Sequence, residues 1–506
     1  MLVALSCGVL AWRAFNANYL SDDAFITLRY ARNWFDGNGL VFNPGEHVEG
    51  FTNFLLVVLE VGLHRLGLEW PSAARLVSFV SAEGCLLLTY RLASGWLPRR
   101  TWLAAGSVAG VALNPYFAAW ALGGLEAPLY GLWLLAAALV LESSDPSTRS
   151  WVRFGLVAAL LALTRPEGLM VAVALAAIRL GWPRPGSARW AAAAPALLIV
   201  LGVLLPLEVA RLAYYGDVLP NTFYAKSAFS PRHLQRGLQY LWGFAQSPGA
   251  AVILPFIAWG VARQLRARSP AAVALVASVA VVIAEGGDGL PMYRFLVPLV
   301  PLAAACASVG LDRAFEGPFL PRAIALNAFV LALVLAPVPA NDHCLSDFQY
   351  QRDVEGPLWA RVGQWLHQHL PAGTTLAAVP AGALGFYSEL PLIDLVGLTD
   401  RTIAHTPLPS LGSGLAGHEK TNGAYVLSRH PEVLLLGNID VSDRPELADG
   451  RLDSWSNDAI YGRERDIVSD PRFQTEYEAT AFPLGNGEFL HAFVRCHPNS
   501  GSRWTQ

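Results

Sequence analysis

Roughly the first 340 residues of this chain are apolar blocks separated by short polar loops, and that pattern limits the fold more than any other feature. A helix needs about 20 apolar residues to cross a bilayer. Candidate blocks are 1–18, 51–67, 71–93, 102–120, 124–142, 153–180, 190–213, 247–263, 270–285, 294–310 and 323–340, which predict about eleven crossings. Block 153–180 is interrupted by Arg165-Pro166-Glu167-Gly168. Only 15% of residues are charged, against about 25% in soluble domains, and the deficit falls on these blocks. Residues 341–506 have the composition of an ordinary soluble domain. The expected organisation is a membrane domain over 1–340, with a first outer loop over 19–52, followed by a globular domain over 341–506.

Arginine placement sets the expected orientation. Loops 179–189, 263–268 and 312–322 are short and basic and read as cytoplasmic. Loops 214–246 and 285–293 and everything after 340 then lie outside, with the N-terminus cytoplasmic. Arg99-Arg100 fits the same scheme if 51–67 is re-entrant and 153–180 is a broken hairpin. No small-residue cleavage site follows the first apolar segment, so it reads as a retained helix. A net charge of −3 gives no sign of nucleic acid binding. Cys7, Cys85 and Cys306 fall in apolar segments. Cys344 and Cys496 bracket the soluble domain; in an oxidising compartment they pair across its ends, and otherwise they are two unpaired thiols.

The segment from Ser21 to Asn53 carries the most chemistry. It opens on adjacent acids, Asp22 and Asp23, with Arg29 and Arg32 close behind. Phe25, Leu28, Tyr30, Ala31, Trp34 and Phe35 predict an amphipathic helix lying flat on the bilayer. Asn38-Gly39 and Pro44-Gly45 predict turns. Glycosyl transfer to a hydroxyl needs a base for the hydroxyl proton. Two neighbouring carboxylates can divide that work, one as base and one orienting the acceptor. The plainer reading is a helix N-cap by Ser21 or Asp22.

Further polar clusters sit at expected outer loops or helix ends. Arg165, Lys226 and Arg294, together with Arg29, are the cations available to a lipid-phosphate leaving group, and charge at this depth tends to mark functional paths. The plainer reading pairs Arg165 with Glu167 and Arg294 with Asp288, or lets them snorkel. Glu126, Asp217, Tyr224 and Asp288 in the same loops, and His418 and Lys420 in the soluble domain, are candidate substrate contacts. In that domain Thr375 to Val379, Val433 to Leu436 and Phe489 to Val494 read as strands and 355–370 as a helix, a small α/β fold. No Gly-rich phosphate loop follows a strand, and no His or Cys spacing suggests zinc. An acidic pair can hold a divalent cation, but without further acids in the same loop geometry neither metal nor cofactor is expected.

The motifs SDDAFITLRYARN, GNGLVFNPGEHVEGFTN, LGGLEAPLY, LTRPEG, YYGDVLPNTFYAK, GGDGLPMYRFLVPLVP and DLVGLTDRTIAH occur in this order. Together they resemble the bacterial GT-C glycosyltransferases similar to the mycobacterial terminal β-(1→2)-arabinofuranosyltransferase. The resemblance implies a GT-C bundle of membrane helices in the bacterial plasma membrane, with an extracytoplasmic active site and a soluble domain above it. It implies a polyprenyl-phosphate sugar donor, such as decaprenyl-phosphoryl-arabinofuranose, and a glycan or glycolipid acceptor from the cell envelope. It further implies inversion at the anomeric carbon and a catalytic aspartate carried onto Asp22 or Asp23. A lipid-linked sugar transporter or flippase, or an envelope-assembly scaffold, are the alternatives. No internal repeat of the transporter kind is visible.

Overall fold

The computed structural model describes residues 1–143, 147–181, 187–227, 230–316, 342–446 and 464–496. Two compact units emerge: Met1–Ser21, Thr52–Gly216 and His233–Arg352 form the first, and Asp22–Phe51, Asp217–Arg232 and Asp353–Gln506 the second. The division therefore falls twelve residues later than the composition suggested. The second unit also takes in 22–51 and 217–232, which the sequence reading had assigned to outer loops of the membrane part.

The first unit is helical. Among the described residues, Trp70–Trp96, Trp190–Tyr215 and Arg294–Arg313 are long and apolar enough to cross a membrane. Leu2–Ala17, Thr101–Leu113, Ala127–Glu142, Gly168–Leu180 and Pro270–Ala284 are apolar but shorter. The expected block 323–340 lies outside the described residues. Block 102–120 is two helices rather than one, because Pro115 cannot continue Thr101–Leu113 and the Asn114 side chain caps Pro115–Trp120 by accepting from Phe117 N–H at 3.0 Å. Block 153–180 breaks as expected, at Arg165-Pro166 between Thr148–Thr164 and Gly168–Leu180. Helix Ser187–Tyr215 exposes Leu198 and Val209 at 67% and 68%, the signature of a face solvated by lipid.

Helix contacts in this unit rest on small residues. Gly155 lies against the Ala196 backbone, where an added Cβ would stand 2.7 Å from Ala196 Cα. Gly260 abuts the Cys306 carbonyl and Gly310 the Phe256 carbonyl, so helices Pro248–Arg266 and Val300–Glu316 meet backbone to backbone. Lipid supplies no hydrophobic drive between helices, and this close van der Waals approach replaces it.

The second unit is built on a mixed sheet. Strands β1 (Leu376–Ala378), β2 (Leu392–Asp394) and β3 (Val433–Leu435) are parallel in the order β2-β1-β3. Strand β6 (Glu488–Arg495) runs antiparallel to β3, to β4 (Asp440–Ser442) and to β5 (Tyr477–Gly485). All nine residues of β1 to β3 are buried, as expected for parallel strands covered on both faces. The outer edge of β2 is closed by a side chain. Asn43 Nδ2 donates to the Leu392 carbonyl at 2.9 Å and Asn43 Oδ1 accepts from Leu392 N–H at 3.1 Å, so one amide mimics a strand.

Helix Asp22–Phe35 does not behave as the predicted interfacial helix. Every residue from Ala24 to Ala31 is buried, including Thr27 and Arg29. Its polar side chains are accommodated because loop carbonyls receive their hydrogens, a compensation that an amphipathicity pattern does not register. The proposed Cys344–Cys496 bridge is also absent, since both are free thiols. Cys344 Sγ sits 3.9 Å from Met292 Sδ, and Cys496 is exposed.

Candidate functional site

In the first unit, charged residues gather where helices end. Glu126 precedes helix Ala127–Glu142, Arg165 occupies the proline break, and Glu285 follows Pro270–Ala284. Arg294 opens the 3₁₀ turn Arg294–Leu299. Arg165 Nη1 donates to Glu126 Oε1 at 2.8 Å, its Nε bonds Glu167, and Nη2 stands 3.5 Å from Glu285 Oε2. Arg294 grips Asp288 as a two-bonded fork, Nε to Oδ2 at 2.7 Å and Nη2 to Oδ1 at 3.1 Å. Phe295 lies under both guanidinium groups, at 4.2 Å from Arg165 and 4.9 Å from Arg294. Asn53 Nδ2 reaches Glu126 Oε2 at 3.2 Å.

The sequence had placed Arg165 and Arg294 as phosphate ligands and Glu126 and Asp288 as substrate contacts. The fold does bring these four into one cluster, but each cation already holds a carboxylate. Two guanidinium groups face four carboxylates (Glu126, Glu167, Glu285, Asp288). An anionic ligand here must displace a carboxylate from an arginine, because buried charge is stable only when paired. Sequence reasoning missed Glu60. This acid is fully buried in helix Phe54–Arg65, and neither carboxyl oxygen has a partner among the described residues. Its signal was legible as the single acid within FLLVVLEVGLHR.

Beside the cluster lies an apolar cavity of about 620 Å³, lined by Gly106, Tyr116, Leu238, Trp242, Ile257 and Leu299 among others. Leu299 also lines the small recess walled by Arg165, Glu285 and Arg294. Tyr293 stacks edge-on against Tyr116 and Phe244 at 5.3 and 5.6 Å. Met292 and Tyr293 both take left-handed backbone conformations, φ 57° and 47°. Consecutive strained residues immediately before Arg294 show that the surroundings hold this turn against its local preference.

In the second unit, Asp22 and Asp23 begin helix Asp22–Phe35. Asp22 Oδ1 accepts from Ala383 N–H at 2.7 Å and Oδ2 from Gly382 N–H at 3.1 Å. Burial pushes its carboxyl up to about 7; the Ala383 and Gly382 donors pull down, while Asp23 and Glu355 add to the rise. Asp23 is half-buried and makes no hydrogen bond or ion pair among the described residues. Asp394 is fully buried and accepts from Val396 N–H at 2.9 Å and Thr399 N–H at 2.8 Å. Burial raises it to about 6 despite those bonds.

Several other expected ligands have structural duties instead. Arg29, expected at the phosphate, is 2% exposed. It donates to the carbonyls of Phe42 (2.8 Å), Gly385 (2.5 Å) and Leu390 (2.7 Å) and to Asn43 Oδ1 (3.1 Å). Lys420 is buried with its ammonium on the Ala404 carbonyl. His418 Nδ1 lies 3.2 Å from the Ala416 carbonyl. Asp217 is forked by Arg401 at 3.0 Å, and Tyr224 stacks on His405 at 4.1 Å. The Lys226 stem packs on Gly417, 2.9 Å from where a Cβ would stand. Among the described residues no group of three or more His, Cys, Asp or Glu side chains is arranged to hold a metal ion.

The architecture is similar to that of solved structures. The chain superposes on ArnT from Cupriavidus metallidurans bound to undecaprenyl phosphate with a TM-score of 0.56 and 14% identity over 97% of both chains. It superposes on the mycobacterial arabinofuranosyltransferase AftD with a TM-score of 0.52 and 15% identity, covering 98% of this chain and 40% of that one. The fold is therefore that of the GT-C glycosyltransferases. In sequence the chain is arabinofuranosyltransferase-like: it is 29% identical over 259 residues to the terminal β-(1→2)-arabinofuranosyltransferase of Mycobacterium tuberculosis and 30% identical over 261 residues to that of Corynebacterium glutamicum. The matches cover 47% and 45% of this chain but only 39% and 36% of those relatives. Residues 345–497 match DUF8728, a domain of unknown function.

Proposed function

We propose that this protein is an integral-membrane, inverting glycosyltransferase that takes a sugar from a polyprenyl-phosphate carrier and passes it to a cell-envelope glycan or glycolipid. The observation carrying this reading is the 620 Å³ apolar cavity that shares Leu299 with the recess of Arg165 and Arg294. An apolar tail with an anionic head has the chemistry of that pair of spaces. The fold shared with ArnT bound to undecaprenyl phosphate supports the same ligand class, and the arabinofuranosyltransferase relatives make a pentofuranose the first sugar to test.

In this reading the lipid phosphate takes over hydrogen bonds that Arg165 and Arg294 now give to carboxylates. Charge developing on the departing phosphate is then met by donors already in place, a source of several kcal/mol of barrier lowering. The acid pair at Asp22 and Asp23 supplies the base, and the reaction runs on the extracytoplasmic side of the plasma membrane. The test is transfer by purified protein from a panel of polyprenyl-phosphate sugars to envelope glycans. Transfer that survives Arg294→Met and Arg165→Met together at the wild-type rate rejects the phosphate site. Lipid translocation without sugar transfer points to a flippase instead.

A further inference from the structure

Three carboxylates converge on the Arg165 guanidinium, and the backbone treats them unequally. Glu126 is the N-cap of helix Ala127–Glu142 and Glu167 the N-cap of helix Gly168–Leu180. Glu285 is instead the C-cap of helix Pro270–Ala284. A helix carries about half a positive charge at its N-terminus and about half a negative charge at its C-terminus. Two of the anions therefore sit where the backbone favours them, and the third where it repels them. The side-chain contacts follow the same order. Arg165 Nη1 donates to Glu126 at 2.8 Å and Nε donates to Glu167. Nη2 stands 3.5 Å from Glu285, whose carboxylate accepts no hydrogen bond among the described residues. The Glu285 side chain is also the most accessible of the three, 29% exposed against 4% for Glu126 and 13% for Glu167, so water can deliver a proton to it.

The neighbouring elements bring no surplus of positive charge. Arg294 is forked on Asp288, and Arg236, on helix Pro231–Ala245, donates to the Gly286 carbonyl at 2.9 Å. With His233, which abuts Gly286, counted as neutral, three guanidinium groups meet Glu126, Glu167, Glu285 and Asp288, a balance of −1. Tyr130 from helix Ala127–Glu142 and Ser278 from the helix of Glu285 line the recess, and Tyr240 packs on Gly287; none of them adds a cation. Glu60, within electrostatic reach of Glu126, is one more acid. Glu142 is at the opposite end of helix Pro270–Ala284, bonded to Ala271 N–H. A phosphate diester entering this recess adds a further negative charge, and like charges confined at one site cannot all stay ionised. We propose that Glu285 receives the lipid phosphate as a neutral carboxylic acid: one proton is taken from water as the ligand binds, and the new O–H donates to a phosphate oxygen. Arg165 Nη2 then serves the same phosphate, while Nη1 and Nε keep Glu126 and Glu167. A protonated carboxyl is a hydrogen-bond donor, which a carboxylate is not. The inference rests on the lipid-phosphate reading above and adds to it a proton that travels with the ligand.

The experiment uses the full chain in nanodiscs and the methyl ester of farnesyl phosphate, a diester whose single negative charge is constant over the pH series. Titration calorimetry in buffers of different ionisation enthalpy counts the protons taken up per ligand bound. Wild-type protein is expected to take up about one proton on the alkaline side, where Kd rises about tenfold per pH unit, as linkage of one proton to one ligand requires. On the acid side Glu285 is already neutral, so uptake vanishes and Kd levels off. Glu285→Gln keeps a neutral donor of similar shape at every pH; it should bind with no uptake and with a Kd that no longer changes with pH. Glu285→Ala also loses the uptake but has no donor, and should bind more weakly than Glu285→Gln throughout. Wild-type binding without proton uptake overturns the proposal and leaves the phosphate site standing. Uptake that persists at the wild-type count in either variant overturns the assignment to Glu285, and equal Kd values for the two variants overturn its role as donor. If wild-type protein binds the diester at no pH, the phosphate reading falls and the proposal with it. The wild-type proton count requires no variant, and the two substitutions give independent tests of the residue.

Discussion

Replacing Arg29 with methionine separates a buried clamp from a phosphate ligand. Methionine keeps much of the length of the aliphatic stem and removes the guanidinium, with its hydrogen bonds, its charge and its contact 4.2 Å over the Phe42 ring. Four hydrogen bonds disappear, leaving the carbonyls of Phe42, Gly385 and Leu390 and the Asn43 amide oxygen without their charged donor. Each charge-assisted bond contributes about 1.5–3 kcal/mol gross. Part is recovered, because Asn43 Oδ1 keeps the Leu392 N–H and losing the guanidinium also removes a desolvated charge. A net loss of about 3–5 kcal/mol follows, the usual result of breaking a buried polar network from one side. For a unit of about 150–250 residues, at about 2–4 °C per kcal/mol, the midpoint should fall by roughly 6–20 °C. The assay is thermal unfolding of detergent-solubilised protein by circular dichroism, with undecaprenyl-phosphate binding measured on the folded protein well below the transition. Unchanged binding with a large fall in Tm is expected. A shift below about 2 °C accompanied by lost binding would show that Arg29 contacts the phosphate and that the clamp argument is wrong.

Gly382→Ala places a methyl group on the Asp22 carboxylate, so it should lower Tm and speed amide hydrogen exchange at Ala383, which donates to that carboxylate; unchanged values would mean that the two segments separate at no cost. Glu60→Leu removes a buried acid with no partner among the described residues and should raise stability by about 1–3 kcal/mol, read as a higher Tm; a fall would reveal a ligand or partner at that carboxyl. Burial raises the carboxyls of Asp22 and Asp394 in the folded state to about 7 and about 6, from the ordinary aspartate value of 3.8. Folding therefore favours their protonated forms, and this contribution is complete below pH 3.8 and lost as pH climbs through 6 to 7. Stability measured across that window should decline with rising pH, and Asp394→Asn should flatten the decline; an opposite slope refutes the burial argument.

The apolar blocks were legible because hydrophobic length is a one-dimensional property, and Pro166 marks a break within one of them; the break at Pro115 was missed. Strands β1, β3 and β6 were legible for a similar reason, as runs of Leu, Val and Phe between turn residues. Strands β4 and β5 were not, because the three residues of Asp440–Ser442 carry no period and the nine of Tyr477–Gly485 include Pro483. The site divided along the same line. Asp22 and Asp23, and the Arg165 and Arg294 cluster with its acids, could be picked out as charges in unusual places. The fate of Arg29 and Lys420 could not, since whether a cation faces a ligand or a carbonyl depends on chain hundreds of residues distant. Arg29 meets Gly385 at a separation of 356 residues.

That separation also dictates an order of assembly. The segment holding Arg29 and Asn43 leaves the ribosome early, yet the carbonyls it must satisfy and the strand whose margin Asn43 seals are made some 350 residues later. The second unit cannot close until those later residues have been made, and a fragment restricted to 353–496 would emerge with its sheet margin bare. Such a fragment is the wrong choice for producing the DUF8728 region in isolation; appending residues 22–51 through a linker supplies the missing pieces.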